Sequence, residues 1–144
     1  MKSKIKIKLM KEYEKSNKLS EAQLQLNLIN LYVNSLKLKD DTISLIYLGG
    51  RYSSKNDKSS IFLVIVNTYS FPIEGFNINF KIKIKQSKLT DVNLIINKND
   101  LGILKNREGV PLLLNVPISG LHEDDFEAFS KDVEINIEKI RVRK

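Results

Sequence analysis

Between Asn77 and Lys85 the chain alternates with period two. Ile78, Phe80, Ile82 and Ile84 share one parity, and Asn79, Lys81, Lys83 and Lys85 share the other. Successive side chains of an extended strand point to opposite faces, so this stretch is a strand with one face buried and the other in water. Phe76 continues the apolar parity and joins the core face. The chain opens in the same way, with Lys4, Lys6 and Lys8 alternating with Ile5, Ile7 and Leu9. Ile61-Phe-Leu-Val-Ile-Val66 is apolar on both parities, which predicts a central strand covered on both faces. That run is far too short to span a bilayer.

The intervening sequence extends the β pattern. Ile43–Leu48 predicts a strand ending at Gly49-Gly50, where a turn or bulge is natural. Ser53–Ser60, with Asn56-Asp57, predicts a polar hairpin connection. Phe71-Pro72 ends the Ile61–Asn67 strand, Val92–Ile96 is another, and Asn97–Gly102 is a turn-rich link. Val110–Val116 is bracketed by Pro111 and Pro117, which suits an edge strand because proline lacks the ladder donor. His122–Asp125 predicts an acidic loop, or the first turn of a short helix through Phe129, before a final strand Val133–Val142. One segment departs from the pattern. Ser20-Glu-Ala-Gln23 fits a capping box, followed by Leu24, Leu28, Ile29, Leu31, Tyr32, Val33 and Leu36 at helical spacing. Leu24, Leu26 and Leu28 also alternate, so a strand competes there; helix over 21–36 is the better fit. The expected fold is mainly β: an antiparallel immunoglobulin-like sandwich of about seven strands with one N-terminal helix. At 144 residues this is a single domain, 1–144, with strand and helix over 1–39 and sandwich over 40–144.

Composition removes most chemistry. With no cysteine, a disulfide framework, a thiol nucleophile, a thiolate zinc site and an iron–sulfur cluster are all excluded. There is no glycine-rich phosphate loop and no G-x-S-x-G elbow. The single histidine sits in Ser119-Gly-Leu-His122-Glu-Asp-Asp125, the one place where catalytic residue types gather. Adjacent loop residues rarely converge on one point, and the helix-borne H-E-x-x-H pair is absent. A solvated acidic loop capping a short helix is therefore preferred over His122 as base or metal ligand with Glu123 and Asp125. No catalytic residue, metal or cofactor is expected.

Lys and Arg total 24 against 17 Asp and Glu, a net charge of +7. Such an excess can serve a polyanion: nucleic acid, anionic membrane or a cell-wall polymer. The candidate residues are Lys4, Lys6, Lys8, Lys81, Lys83 and Lys85. Arginine, the better fork for phosphate and bases, occurs only at 51, 107, 141 and 143, so solvated strand faces are the preferred reading of the lysines. Tyr69 and Phe71, beside the Pro72 turn, are the aromatics placed to remain exposed and would suit a protein-binding hot spot as well as a base-stacking one. The N-terminus is basic but lacks a continuous apolar stretch and a cleavage site, so a soluble, cytoplasmic protein is expected.

The run Ile61-Phe-Leu-Val-Ile-Val-Asn67-Thr-Tyr-Ser-Phe-Pro72-Ile73 resembles the SLAP domain of low-GC Gram-positive bacteria. That module has a hydrophobic strand, an Arg-Asn-Gly-type turn and a Pro/Lys-Ile step. Asn67 and Pro72-Ile73 fit, while Val66 and Thr68 replace the arginine and glycine. Leu101-Gly102-Ile103-Leu104, Pro111 and Val116-Pro117 are similar to its Leu-Gly-x-Ile segment, internal proline and closing Phe-Pro, and Leu31-Tyr32-Val33 with Ile43-Ser44 to its entry. The likeness covers roughly 31–118; Leu112-Leu-Leu-Asn115 stands where the family is aromatic-rich, and the strand Val133–Val142 lies beyond its usual end. The resemblance implies a non-catalytic interaction module of surface-layer assembly or accessory Sec export, with no cofactor. A sandwich edge can recruit a partner strand. The expected edge is Val110–Val116, with Leu112 and Leu114 offering side chains to an unidentified protein partner.

Overall fold

The structure, a computed structural model, describes residues 4–8 and 19–144, and the side chains of 4–8, 27–100 and 102–144. The elements in chain order are β1 (Lys6–Ile7), α1 (Leu19–Ser35), β2 (Ile43–Ser53), β3 (Lys58–Asn67), β4 (Gly75–Ile84) and β5 (Thr90–Ile96). A short α2 (Lys98–Leu101), β6 (Glu108–Pro117), β7 (Phe126–Ala128), a 3-10 turn (Ser130–Asp132) and β8 (Val133–Arg143) complete them. The fold is mainly β. Five strands form one sheet in the order β1-β6-β3-β2-β7, and three form another in the order β5-β4-β8.

The doubly apolar β3 determines the layering. Ile61, Leu63 and Ile65 face the three-stranded sheet and meet Phe76, Ile78, Phe80 and Ile82 of β4 in the main core. Val64 and Val66 face the other way and pack with Ile46 of β2, Ile5 and Ile7, and Ile29 and Val33 of α1. The molecule is therefore a sandwich with a helix laid on the outer face of its larger sheet, and residues 4–8 and α1 belong to that packing. On α1 the buried stripe is narrower than helical spacing predicts. Ile29 and Val33 are buried and Leu36 half-buried, but Leu28, Leu31 and Tyr32 are exposed. The capping-box side chains of Ser20 and Gln23 lie outside the described side chains, and Leu9 of the N-terminal alternation outside the described residues.

Two expectations are corrected and two are filled in. β2 does not stop at Gly49-Gly50: Leu48 is an extra residue between the Tyr47–Leu63 and Gly49–Phe62 pairs, and the strand continues to Ser53. This is the bulge alternative, and a Cβ at Gly50 would run into the Ser60 carbonyl. The segment Phe126–Ala128 is a short strand on the edge of β2, not the body of a helix. The strands over 40–144 pair antiparallel throughout, as expected, and β1 adds a parallel edge to β6 through Lys6–Glu108 and Ile7–Gly109. The turn-rich link over 97–102 takes the form of a helical turn, whose first amides at Asn99 and Asp100 donate to the Asn97 side chain.

Candidate functional site

The carbonyls of Arg107, just before β6, and of Gly109 within it accept from the Lys6 and Lys8 amides, so from Gly109 on the odd positions of β6 turn their backbone to the outer edge. Pro111 and Pro117 are on that edge, where the missing N–H costs β3 nothing. Pro111 sits where the next donor to β1 would be, and the pairing ends there. Between the prolines only Leu113 and Asn115 can offer an N–H to an incoming strand. The side chains expected to meet a partner point elsewhere. Leu112 is buried in the main core and Leu114 packs against it, because β6 shows its even positions to the other sheet. The outward residue is Leu113, opposite Phe62 and 59% exposed. This corrects the assignment of Leu112 and Leu114 as contact residues.

β1, the formal end of this sheet, is closed differently. Asn30 and Asn34 lie one turn apart on α1, and their Oδ1 atoms accept from the Ile7 and Ile5 amides at 3.0 and 2.8 Å. Asn34 Nδ2 also donates to the Ile5 carbonyl at 3.0 Å. Two helix side chains thus stand in for a neighbouring strand, a use of asparagine that spacing alone does not reveal.

The lysines do not form one surface. Lys4, Lys6 and Lys8 lie along β1 at the edge of the larger sheet, whereas Lys81 and Lys83 face outward from the middle of the smaller one. Lys8 pairs with Glu108 at 3.5 Å. Lys81 lies between Asp91 at 3.8 Å and Glu138 at 3.4 Å. Lys85 meets Glu123 at 3.2 Å and stands 3.7 Å over the Phe126 ring. A shallow cleft beside them carries Lys83, Lys85 and Lys131 against Glu123, Asp132 and Glu134, so its charges balance. Alternating cations on a strand face oppose one another until neighbouring strands supply carboxylates, and here β5 and β8 supply them.

Tyr69 and Phe71 are half-buried rather than open. They stack on each other with centroids 4.9 Å apart, close the end of the main core, and Lys144 Nζ lies 4.3 Å over Phe71. In the acidic loop Asp125 and Glu123 have local tasks. Asp125 accepts from the Ser54 amide at 2.8 Å and the Ser54 hydroxyl at 2.9 Å, and these bonds hold its carboxyl below its ordinary range. Glu123 is the partner of Lys85. His122 is exposed, and among the described residues no group of three His, Asp or Glu is disposed to hold a metal ion.

A more apolar open surface lies elsewhere. A groove between α1 and the larger sheet is lined by Leu28, Ile29, Tyr32, Leu48, Phe62 and Phe129, with Tyr47 and Ser130 at one end. Leu28 is 68% exposed and Phe129 57%. Soluble surfaces carry scattered single leucines without consequence, but large apolar side chains sharing one groove mark an interaction surface. From Ala22 to Ser35 the helix has no charged residue, so the groove has a neutral wall in a chain of net charge +7. The sequence signal was present: a helix apolar on more than one face has a second face to cover. Among the described residues no helix is long and apolar enough to cross a membrane. Comparison of the chain with protein-family profiles, curated proteins and solved structures finds no match in any of the three.

Proposed function

We propose that this protein is a non-catalytic interaction module that binds another protein through the groove between α1 and the larger sheet. The observation that carries the reading is the exposure of Leu28, Tyr32 and Phe129 around one uncharged groove. Large aromatic and aliphatic anchors in a shared depression are the usual source of binding energy at protein interfaces. The neutral wall of α1 suits an apolar segment of a partner, not a polyanion. The resemblance over roughly 31–118 to SLAP modules supports the same class and directs the search for a partner to surface-layer or accessory Sec export components. Binding by strand addition at β6 has less support, since Pro111 and Pro117 remove two of its outward donors.

The test compares wild type with Leu28→Asp and Phe129→Asp, both changes at exposed positions, as tagged baits in a nuclease-treated Gram-positive lysate washed at low and high salt. The expected result is a discrete protein retained by wild type through the high-salt wash and lost by both variants. Each variant should melt within about 2 °C of wild type, because exposed substitutions change stability by only ~0.5 kcal/mol. A partner retained equally by all three removes the groove. Recovery that disappears with salt transfers the function to the outward lysines, since phosphate contacts release counterions and weaken steeply as salt rises.

A further inference from the structure

Among the described residues β8 is the one long strand whose outer edge is left open. It runs 11 residues, pairs only with β4, and among the described residues has no strand on its other side. The other edges are short, blocked or poor in charge. β1 is closed by Asn30 and Asn34, β6 carries two outward prolines, β7 has three residues, and β5 has a single charged residue, Asp91. β8 is also undercovered. None of its residues is buried, and its inward Val133, Ile135, Ile140 and Val142 are only half-buried, although the β4 residues Phe76, Ile78, Phe80, Ile82 and Ile84 beside them are buried throughout. Ile137 is 40% exposed.

The bulge in β8 decides what fits this edge. Asn79 pairs with Lys139 and Phe80 with Ile137, so Glu138 is an extra residue and the parity of the strand reverses across it. The Asp132 carbonyl accepts from Lys85, and the Arg143 carbonyl accepts from Glu74. Even positions before the bulge and odd positions after it therefore turn their backbone to β4. The open edge presents the amides and carbonyls of Val133, Ile135 and Ile137 on one side of Glu138, and of Ile140 and Val142 on the other.

We infer that β8 pairs antiparallel with β8 of a second copy of this chain, about a two-fold axis between Glu138 and Lys139, making one continuous six-stranded sheet. Because parity reverses at the bulge, this register satisfies every requirement of an antiparallel ladder together. Ile135 faces Val142 of the second copy and Ile137 faces Ile140, each as a pair that exchanges hydrogen bonds with both side chains on the inner face. Glu134 faces Arg143, Asn136 faces Arg141 and Glu138 faces Lys139 on the outer face. The acidic half of the strand thus lies on the basic half of its copy. A register moved by one residue would set inward isoleucines against outward charges. The pairing is isologous and closed, so it ends at a dimer.

Two experiments on the full chain test this. In sedimentation equilibrium, wild type is expected to dimerise. Glu134→Arg and Arg143→Glu, each placing like charges opposite one another twice per dimer, should each weaken association roughly tenfold, and the two together in one chain should restore it. The chain has no cysteine, so Asn136→Cys with Arg141→Cys gives a clean second readout. Mild oxidation should trap a covalent dimer, whereas either cysteine alone lies about 16 Å from its own copy, too far to bridge. A wild type that stays monomeric overturns the inference and leaves the edge to a strand from another protein. A dimer that ignores both charge reversals, or a double-cysteine chain that does not cross-link, assigns the contact to another surface. Because α1 and the groove take no part, failure here leaves the proposed groove function standing.

Discussion

Asn67 has no exposed atom and no idle one. Its Nδ2 donates to the Phe71 and Leu104 carbonyls, both at 3.0 Å, its Oδ1 accepts from the Tyr69 amide at 2.9 Å, and its carbonyl accepts from Arg107. One side chain thus holds the β3–β4 turn against the segment that enters β6, next to the Ile73–Leu104 bridge. Asn67→Leu would leave the Phe71 carbonyl and the Tyr69 amide without the partner that Asn67 supplies, and the Leu104 carbonyl with only the Ile73 amide. The expected cost is ~2–4 kcal/mol, read as a fall in melting temperature of roughly 10 °C; a variant melting with wild type would show the clamp to be dispensable. Tyr47 carries a pH prediction. Its hydroxyl donates to the Ala128 carbonyl at 2.5 Å, and burial first, then the Asp132 charge, pushes the phenol up to about 12 from its usual 10. The unfolded chain loses this proton near pH 10 and the folded chain near 12. The contribution is therefore complete below pH 10 and is lost as pH rises to 12. Tyr47→Phe should flatten the fall in stability across that window, while Tyr52, whose phenol burial and Asp57 also push up, keeps part of it. An unchanged alkaline profile would remove Tyr47 from the effect. Asn67 was visible in the sequence only as a letter in a resemblance, because Leu104, one of its partners, lies 37 residues away.

At the scale of elements, legibility followed parity. β4 alternates cleanly, and its inward and outward faces could be read directly. In β3 both parities are apolar, and both faces are covered. Val110-Pro-Leu-Leu-Leu-Asn-Val116 is apolar on both parities as well, yet one of its faces is open at Leu113. Nothing in the residues themselves says which, and Leu112 and Leu114, expected to face a partner, turn to the main core. β7 is too short to have a period, and the asparagine closure of β1 depends on two segments meeting. Gly109 records that meeting. A Cβ there would stand 2.9 Å from the Ile65 carbonyl, 2.9 Å from Ile7 Cδ1 and 3.0 Å from Val66 Cγ2. Gly109→Ala must push β1 outward, since a strand carbonyl and packed core methyls have little freedom to move. Overpacking of this kind costs ~1–3 kcal/mol. The amides of Lys6 and Lys8, which donate to the Arg107 and Gly109 carbonyls, should exchange several-fold faster with solvent. Unaltered exchange would mean that β1 is held by α1 alone.

Across the whole molecule the two cores are unequal, and the inequality makes the two proposed surfaces separable. The inter-sheet core contains nineteen buried residues and the helix-facing core seven, among the described side chains. Hydrophobic stabilisation scales with apolar area removed from water, so the helix layer should open at a lower free energy than the sandwich beneath it. Val33, fully buried between α1 and the larger sheet, is the lever. Val33→Asp puts a charge into the smaller core and leaves the inter-sheet core untouched. The expected outcome is a loss of helical circular dichroism at a temperature where the strand signal persists, with two transitions in place of one. The groove loses one wall when α1 leaves, so retention of a groove partner should disappear. The β8 edge is on the other sheet, so dimerisation should survive unchanged. A single, strongly lowered transition would instead show that the helix is integral to folding of the sandwich, and the two surfaces would then stand or fall together.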